Sequence, residues 1–133
     1  MANTNLLTLY IHTKKNVYQS DLYKKSLLFN NPFIAVKTKA CKGKLPSNYS
    51  FVSCDTENVV IDGVKQSEDK KALIIRLFER ANTNTTFKVI FGFDVKKVYA
   101  CNLMEEKEQN LEVKDNIVCI TVKPYEIITL YVQ

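Results

Sequence analysis

The sequence predicts a mainly β protein, an antiparallel β-sandwich of about eight or more strands with one short N-terminal helix. Three observations carry this. After residue 48 apolar residues alternate with polar ones in short runs, the period of half-buried strands. Polar turns separate the runs at the spacing of a two-layer antiparallel fold. The long helical crossovers that a parallel sheet needs are missing.

Taken in order, "NLLTLYIHT" is β-branched and aromatic enough for a strand over Leu6 to His12. In "NVYQSDLYKKSLLFNNP" the period changes to a helical one through Val17, Tyr18, Leu22, Ser26 and Phe29. Ser20 or Asp21 suits the first turn, and Asn30, Asn31 and Pro32 stop the helix. "FIAVKTKA" reads as an extended arm and "KGKLPSN" as a loop. The strands "YSFVSC", "NVVIDGVKQ" and "ALIIRLFE" follow, the last two joined by the turn "SEDKK". "TTFKVIF" points Phe87, Val89 and Phe91 to one side, and "VKKVYAC" follows the turn "GFD". The acidic "NLMEEKEQN" reads as a connection, and "LEV" and "NIVCITV" as strands of a hairpin about "KDN". Val118, Ile120 and Val122 should face the core. Proline cannot donate to a ladder, so Pro124 marks a corner before a final strand in "EIITLYV". Residues 1–40 form one segment, an arm continuing a larger upstream β-domain, and residues 41–133 the sandwich.

The composition limits the function classes. A chain of 133 residues with 46% hydrophobic and 25% charged residues is ordinary globular material, one sandwich in size. It has no apolar run near the ~20 residues of a membrane-spanning helix and no signal-peptide pattern. These features place it in the cytoplasm, off the membrane. The net charge of +5 comes from lysines scattered through nearly every segment, whereas nucleic-acid modules favour arginine interleaved with aromatics. No nucleic-acid partner is expected. Even the densest stretch, Lys37, Lys39, Lys42 and Lys44, reads as a solvated edge.

Candidate chemistry is sparse. Cys41, Cys54, Cys101 and Cys119 form no C-x-x-C pair; Cys101 and Cys119 sit in apolar strand runs, where cysteine acts as a small buried hydrophobe. His12, the single histidine, reads as a hydrogen-bonded structural residue. The acids cluster as Asp55 with Glu57, Glu68 with Asp69, and Glu105, Glu106 with Glu108. Each cluster reads as a solvated turn, although a glycosidase pair would need two such acids in a cleft. Glu126 reads as a cap for the Pro124 corner. Seven tyrosines could stack on sugar rings, but without tryptophan packing is the better account. No catalytic, cofactor-binding or metal-binding residue is assigned.

Several phrases together resemble the C-terminal region of glycoside hydrolase family 38 α-mannosidases, particularly the cytosolic and bacterial type. They are "LYIH", "LLFNNPFIAV", "GKLPSNYSFVSCDTENVVIDGVKQSED", "LIIRLFE", "KKVYACNLMEE" and "VKPYEIITL", in order along nearly the whole chain. The most specific parts run from Phe51 to Val60 and through the following "KQSED". The chain departs from the family pattern beside His12. A proline commonly precedes that histidine and a glycine-aspartate pair follows it; Ile11 and Lys14-Lys15 stand there instead.

The resemblance implies a non-catalytic structural domain of an enzyme that hydrolyses terminal α-D-mannosyl residues by a zinc-dependent retaining mechanism. The zinc, its histidine and aspartate ligands and the carboxylate nucleophile would belong to an upstream catalytic domain of the same polypeptide, the expected partner, with glycan a second possible one. Such a fragment is no enzyme alone, and should expose apolar surface where its neighbour docks. The alternatives are a carbohydrate-binding module or an Ig-like protein-interaction domain.

Overall fold

The structure, a computed structural model, describes residues 9–11, 21–40 and 42–133. It divides into two compact units, Met1–Lys42 and Gly43–Gln133. In the first, helix α1 spans Leu22–Asn30. Asp21 takes the N-cap position without capping, because its carboxylate accepts the Tyr10 hydroxyl at 2.7 Å. The two asparagines end the helix as their side chains suggest: Asn30 donates to the Ser26 carbonyl, and Asn31 to that of Leu27 through both its side chain and its backbone. Pro32 follows, and residues 32–40 have no regular secondary structure. The strand expected over Leu6 to His12 falls mostly outside the described residues.

The second unit is an antiparallel sandwich of eight strands: β1 Val52–Cys54, β2 Val59–Gln66, β3 Leu73–Glu79, β4 Thr85–Phe91, β5 Val98–Cys101, β6 Lys107–Leu111, β7 Ile117–Val122 and β8 Ile127–Val132. One sheet has the order β1-β4-β7 and the other β2-β3-β8-β5-β6. Alternation decides which side chains meet between them. In β4 every odd residue from Thr85 to Phe91 is buried and every even one exposed, and in β7 Val118, Ile120 and Val122 point inward as expected. Ile75 and Leu77 of β3 and Leu130 and Val132 of β8 close the core from the other side.

Three expectations need correction. The acidic connection contains β6, which pairs with β5; four of its five residues are exposed, so backbone pairing rather than side-chain burial holds it. "LEV" and "NIVCITV" do not form a two-stranded hairpin. Asp115 and Asn116 do make a tight turn, with φ of 50° and 59°, but only Lys114 and Ile117 bridge across it. Beyond that bridge, β6 joins the five-stranded sheet and β7 the three-stranded one. Cys119 is exposed, not buried, because Val118 and Ile120 on either side take the inward positions.

Pro124 does mark a corner. Glu126 N–H donates to the Lys123 carbonyl at 3.1 Å, and Tyr125 has a φ of 57°, the signature of a type II turn with proline second and a left-handed residue third. The Glu126 carboxylate accepts the Lys123 N–H at 2.6 Å, which is the capping role read for it. The corner carries the chain from one sheet to the other, and β8 enters between β3 and β5.

Gly92 lies where backbones come close. Its N–H donates to the Phe51 carbonyl at 2.9 Å. A Cβ there would collide with the Ser50 carbonyl oxygen and sit 2.8 Å from the Tyr49 hydroxyl. Gly92→Ala is therefore expected to cost about 1–3 kcal/mol, as overpacking does, read as a fall in thermal midpoint; an unchanged midpoint would show that the residue 49–51 segment simply yields.

Candidate interaction surfaces and the polar clusters

Three features of the sandwich could carry function: a polar cluster on the outer face of the five-stranded sheet, a buried carboxylate, and an apolar groove.

The outer face is unusual in being partly buried. Ile74, Cys101 and Tyr131 form a small second cluster with Ala72 and Tyr99 against it. Tyr99 and Tyr131 meet edge to face at 6.4 Å, and the Lys107 ammonium lies 4.6 Å and 4.0 Å from their ring centres, within cation–π range. The Tyr131 hydroxyl donates to Asp69 at 2.7 Å, and the Ser67 hydroxyl to the same carboxylate at 2.6 Å. These bonds from Ser67 and Tyr131, joined by the Lys71 N–H, hold the Asp69 carboxyl down at about 2. The same bond to Asp69 raises the Tyr131 hydroxyl above its ordinary value.

Beside this, the β5–β6 loop folds toward the β2–β3 turn. Asn102 organises it, its side-chain oxygen accepting the N–H groups of Met104 and Glu106. Glu105, with a φ of 67°, reaches Lys65 at 2.6 Å and accepts the Glu68 N–H at 2.8 Å. Lys65 also pairs with Glu68 at 2.7 Å. The bond from Lys65 lowers the Glu105 carboxyl, and the bond to Glu105 raises the Lys65 ammonium. Glu105 is thus a fastening group rather than a freely solvated one, whereas Asp69 is an exposed turn residue as expected, tied by its hydrogen bonds to Ser67 and Tyr131.

Glu79 stands outside the acidic clusters that the sequence offers, yet among the described residues it is the one buried carboxylate. Its position continues the inward alternation of Ile75 and Leu77, a signal that was available in "LIIRLFE". At 1% exposure, its carboxylate accepts the N–H of Ala81 at 2.7 Å, Asn82 at 2.9 Å and Tyr125 at 3.0 Å. Burial pushes this carboxyl up, but the bonds from Tyr125, Ala81, Thr83 and Asn82 outweigh it and the net shift is downward. Glu79 therefore ties the β3–β4 turn to the Pro124 corner. Every bond it makes is to backbone of this unit, so its role is structural.

The remaining candidates disperse. Asp55 accepts the Lys88 N–H at 2.8 Å, and the Glu57 carbonyl accepts from Arg80 at 2.8 Å. Cys54 is half-buried, and burial, then Asp55, pushes its thiol up to about 11. Cys101 donates to the Thr129 carbonyl at 3.4 Å, and burial raises its thiol as well. His12 and Cys41 lie outside the described residues. Among the described residues no three His, Cys, Asp or Glu side chains gather as a metal site would require, so these residues do not fit a zinc ion.

The apolar groove lies where the five-stranded sheet extends past β1. It encloses about 610 Å³ and is lined by Phe51, Val52, Ile61, Val64, Leu73 and Phe93. Val64 and Leu73 share the inner face with Ile75, since Val64 pairs with Ile75 in register. They are nonetheless 53% and 36% exposed, and Phe51 is 59% exposed. This is core-type surface left open; the expected exposed apolar patch is present.

Comparison with known proteins agrees with this architecture. The model of the "Glycosyl hydrolases family 38 C-terminal beta sandwich domain" matches residues 58–130, from just before β2 into β8. Alpha-mannosidase G of Dictyostelium discoideum is 25% identical over 126 residues, which is 92% of this chain and 12% of that protein. The chain thus spans about an eighth of the relative it matches. With the matched segment covering more than half of the chain and most of its sandwich, the protein belongs to the family of glycosyl hydrolase family 38 C-terminal β-sandwich domains.

Proposed function

We propose that this chain is the non-catalytic sandwich domain of an α-mannosidase, bracing a catalytic body supplied by the upstream part of the same polypeptide. The observation that carries this reading is the family match over residues 58–130, beside a relative named as an α-mannosidase of which the chain spans 12%. The open groove at Phe51, Val64 and Leu73 supports it, because apolar inner-face residues gain most by being covered. In this reading the body hydrolyses terminal α-D-mannosyl residues by a retaining mechanism and holds the zinc, since the described residues of this chain offer no donor set for it. The same reading puts the enzyme in the cytoplasm, its thiols reduced.

The test is an activity comparison. The 133-residue chain, supplied with zinc, should not hydrolyse an aryl α-mannoside, while the polypeptide that includes the upstream region should. Titration of the chain with mannosides should leave its amide resonances unmoved. Hydrolysis by the chain alone, or saturable mannoside binding to it, would overturn the reading.

A further inference from the structure

The five-stranded sheet also extends beyond β7, at the margin opposite the apolar groove. A cleft of about 450 Å³ runs there between β7 and the overhanging inner face of β5 and β6, lined by Ala100, Leu111 and Ile128 together with the polar Glu108, Gln109 and Glu126. The margin strand of the roof is β7, and its hydrogen-bond parity follows from one bond. Phe91 N–H donates to the Asn116 carbonyl, so in the antiparallel ladder Val118, Ile120 and Val122 turn their N–H and C=O groups toward β4. Ile117, Cys119 and Thr121 turn theirs outward.

Two of the flanking outward positions are already occupied. Ile117 exchanges both bonds with Lys114, at 2.8 and 3.0 Å, and the Lys123 N–H is held by the Glu126 carboxylate. Between these two stops, the N–H and C=O groups of Cys119 and Thr121 have no backbone partner among the described residues. The other sheet margins are guarded. β1 is three residues long, β2 carries Asp62 and Lys65 about a bulge, and β6 presents Lys107 and Glu108. β7 carries no charge from Ile117 to Val122, and an unguarded margin of this kind is a template for another strand.

We propose that β7 accepts an extended strand from the upstream part of the mannosidase polypeptide, which widens the three-stranded sheet to four strands and roofs the β5–β6 overhang. This rests on the reading given above. The occupant is about five residues long and alternates, its inward side chains meeting both the apolar Ala100, Leu111 and Ile128 and the polar Gln109 and Glu108, and the others facing outward. A tethered segment is favoured over a second copy because the relative is about eight times longer than the matched chain, and a tether supplies an effective concentration in about the millimolar range.

Amide exchange tests this. In the 133-residue chain, the Cys119 and Thr121 amides should exchange at least about tenfold faster than those of Val118 and Ile120, because only the latter are paired. In the polypeptide with its upstream region, the peptide covering residues 117–122 should retain two more deuterium-protected amides than in the chain alone. Thr121→Pro removes the outward N–H and the exposed hydroxyl contact with Thr86 at 2.9 Å but no ladder bond to β4, so the variant chain should keep its fold, whereas in the long polypeptide the added protection should vanish. Equal protection of β7 in chain and polypeptide would overturn the proposal. So would a concentration-dependent dimer of the chain that Thr121→Pro abolishes, since that would give the margin to a second copy. Activity is read separately: an active polypeptide with β7 unprotected defeats this inference alone, and an inactive one with β7 protected by an upstream segment defeats only the mannosidase reading.

Discussion

Glu79→Ala is expected to destabilise the sandwich by about 3–5 kcal/mol, the scale for removing one partner from a buried charged hydrogen-bond set. The N–H groups of Ala81, Asn82 and Tyr125 lose their acceptor at once, and two turns separate. In a domain of this size that amounts to a fall of about 10 °C or more in thermal midpoint. Glu79→Gln should recover only part of the loss, because one carboxylate oxygen becomes an NH2 group that faces donors.

The same group sets an acid limit. Its folded carboxyl lies below the ordinary value, so its contribution is complete above the usual glutamate range and disappears as pH falls through the folded value. Asp69, held at about 2, acts in the same sense over the window from ordinary carboxylate pH down to about 2. Stability measured in urea should therefore decline steadily below about pH 4.5. In Glu79→Gln the decline should be shallower. An identical slope would show that other carboxylates carry the acid dependence.

Phe87→Ala is expected to cost about 3–5 kcal/mol, the range for truncating a buried aromatic. Phe87 is 2% exposed, among the largest fully buried side chains, and sits in β4 opposite Ile120. Phe51→Ala is the control. That ring is 59% exposed at the groove, so its loss should change the stability of the chain by about 1 kcal/mol or less. Chemical denaturation of both variants checks the contrast, and equal losses would mean that the groove is as much core as the centre of β4.

Most of the sandwich was legible because two-layer sheets force a period of two, which β4 and β7 display plainly, while β3 and β8 read as nearly continuous apolar runs because Ile74 and Tyr131 are buried on the outer face as well. β6 was hidden since a marginal strand with a solvated face need not alternate. The tight turn at Asp115-Asn116 was legible, but local turn chemistry does not say which sheet each flank will join. The Lys65–Glu105 pair spans forty residues of sequence and leaves no local trace. Glu79 was readable from the inward alternation of β3, although a carboxylate at a strand end resembles the start of a turn.

The placement of β8 has a consequence for biosynthesis. Residues 127–132 are the last of these eight strands to be made, yet they alone join the β2–β3 hairpin to the β5–β6 hairpin. A nascent chain on the ribosome that has not yet reached Ile127 holds two separate hairpins, with Ile75, Leu77 and Val98 uncovered on one side. Its five-stranded sheet can therefore be completed only after Ile127–Val132 has emerged.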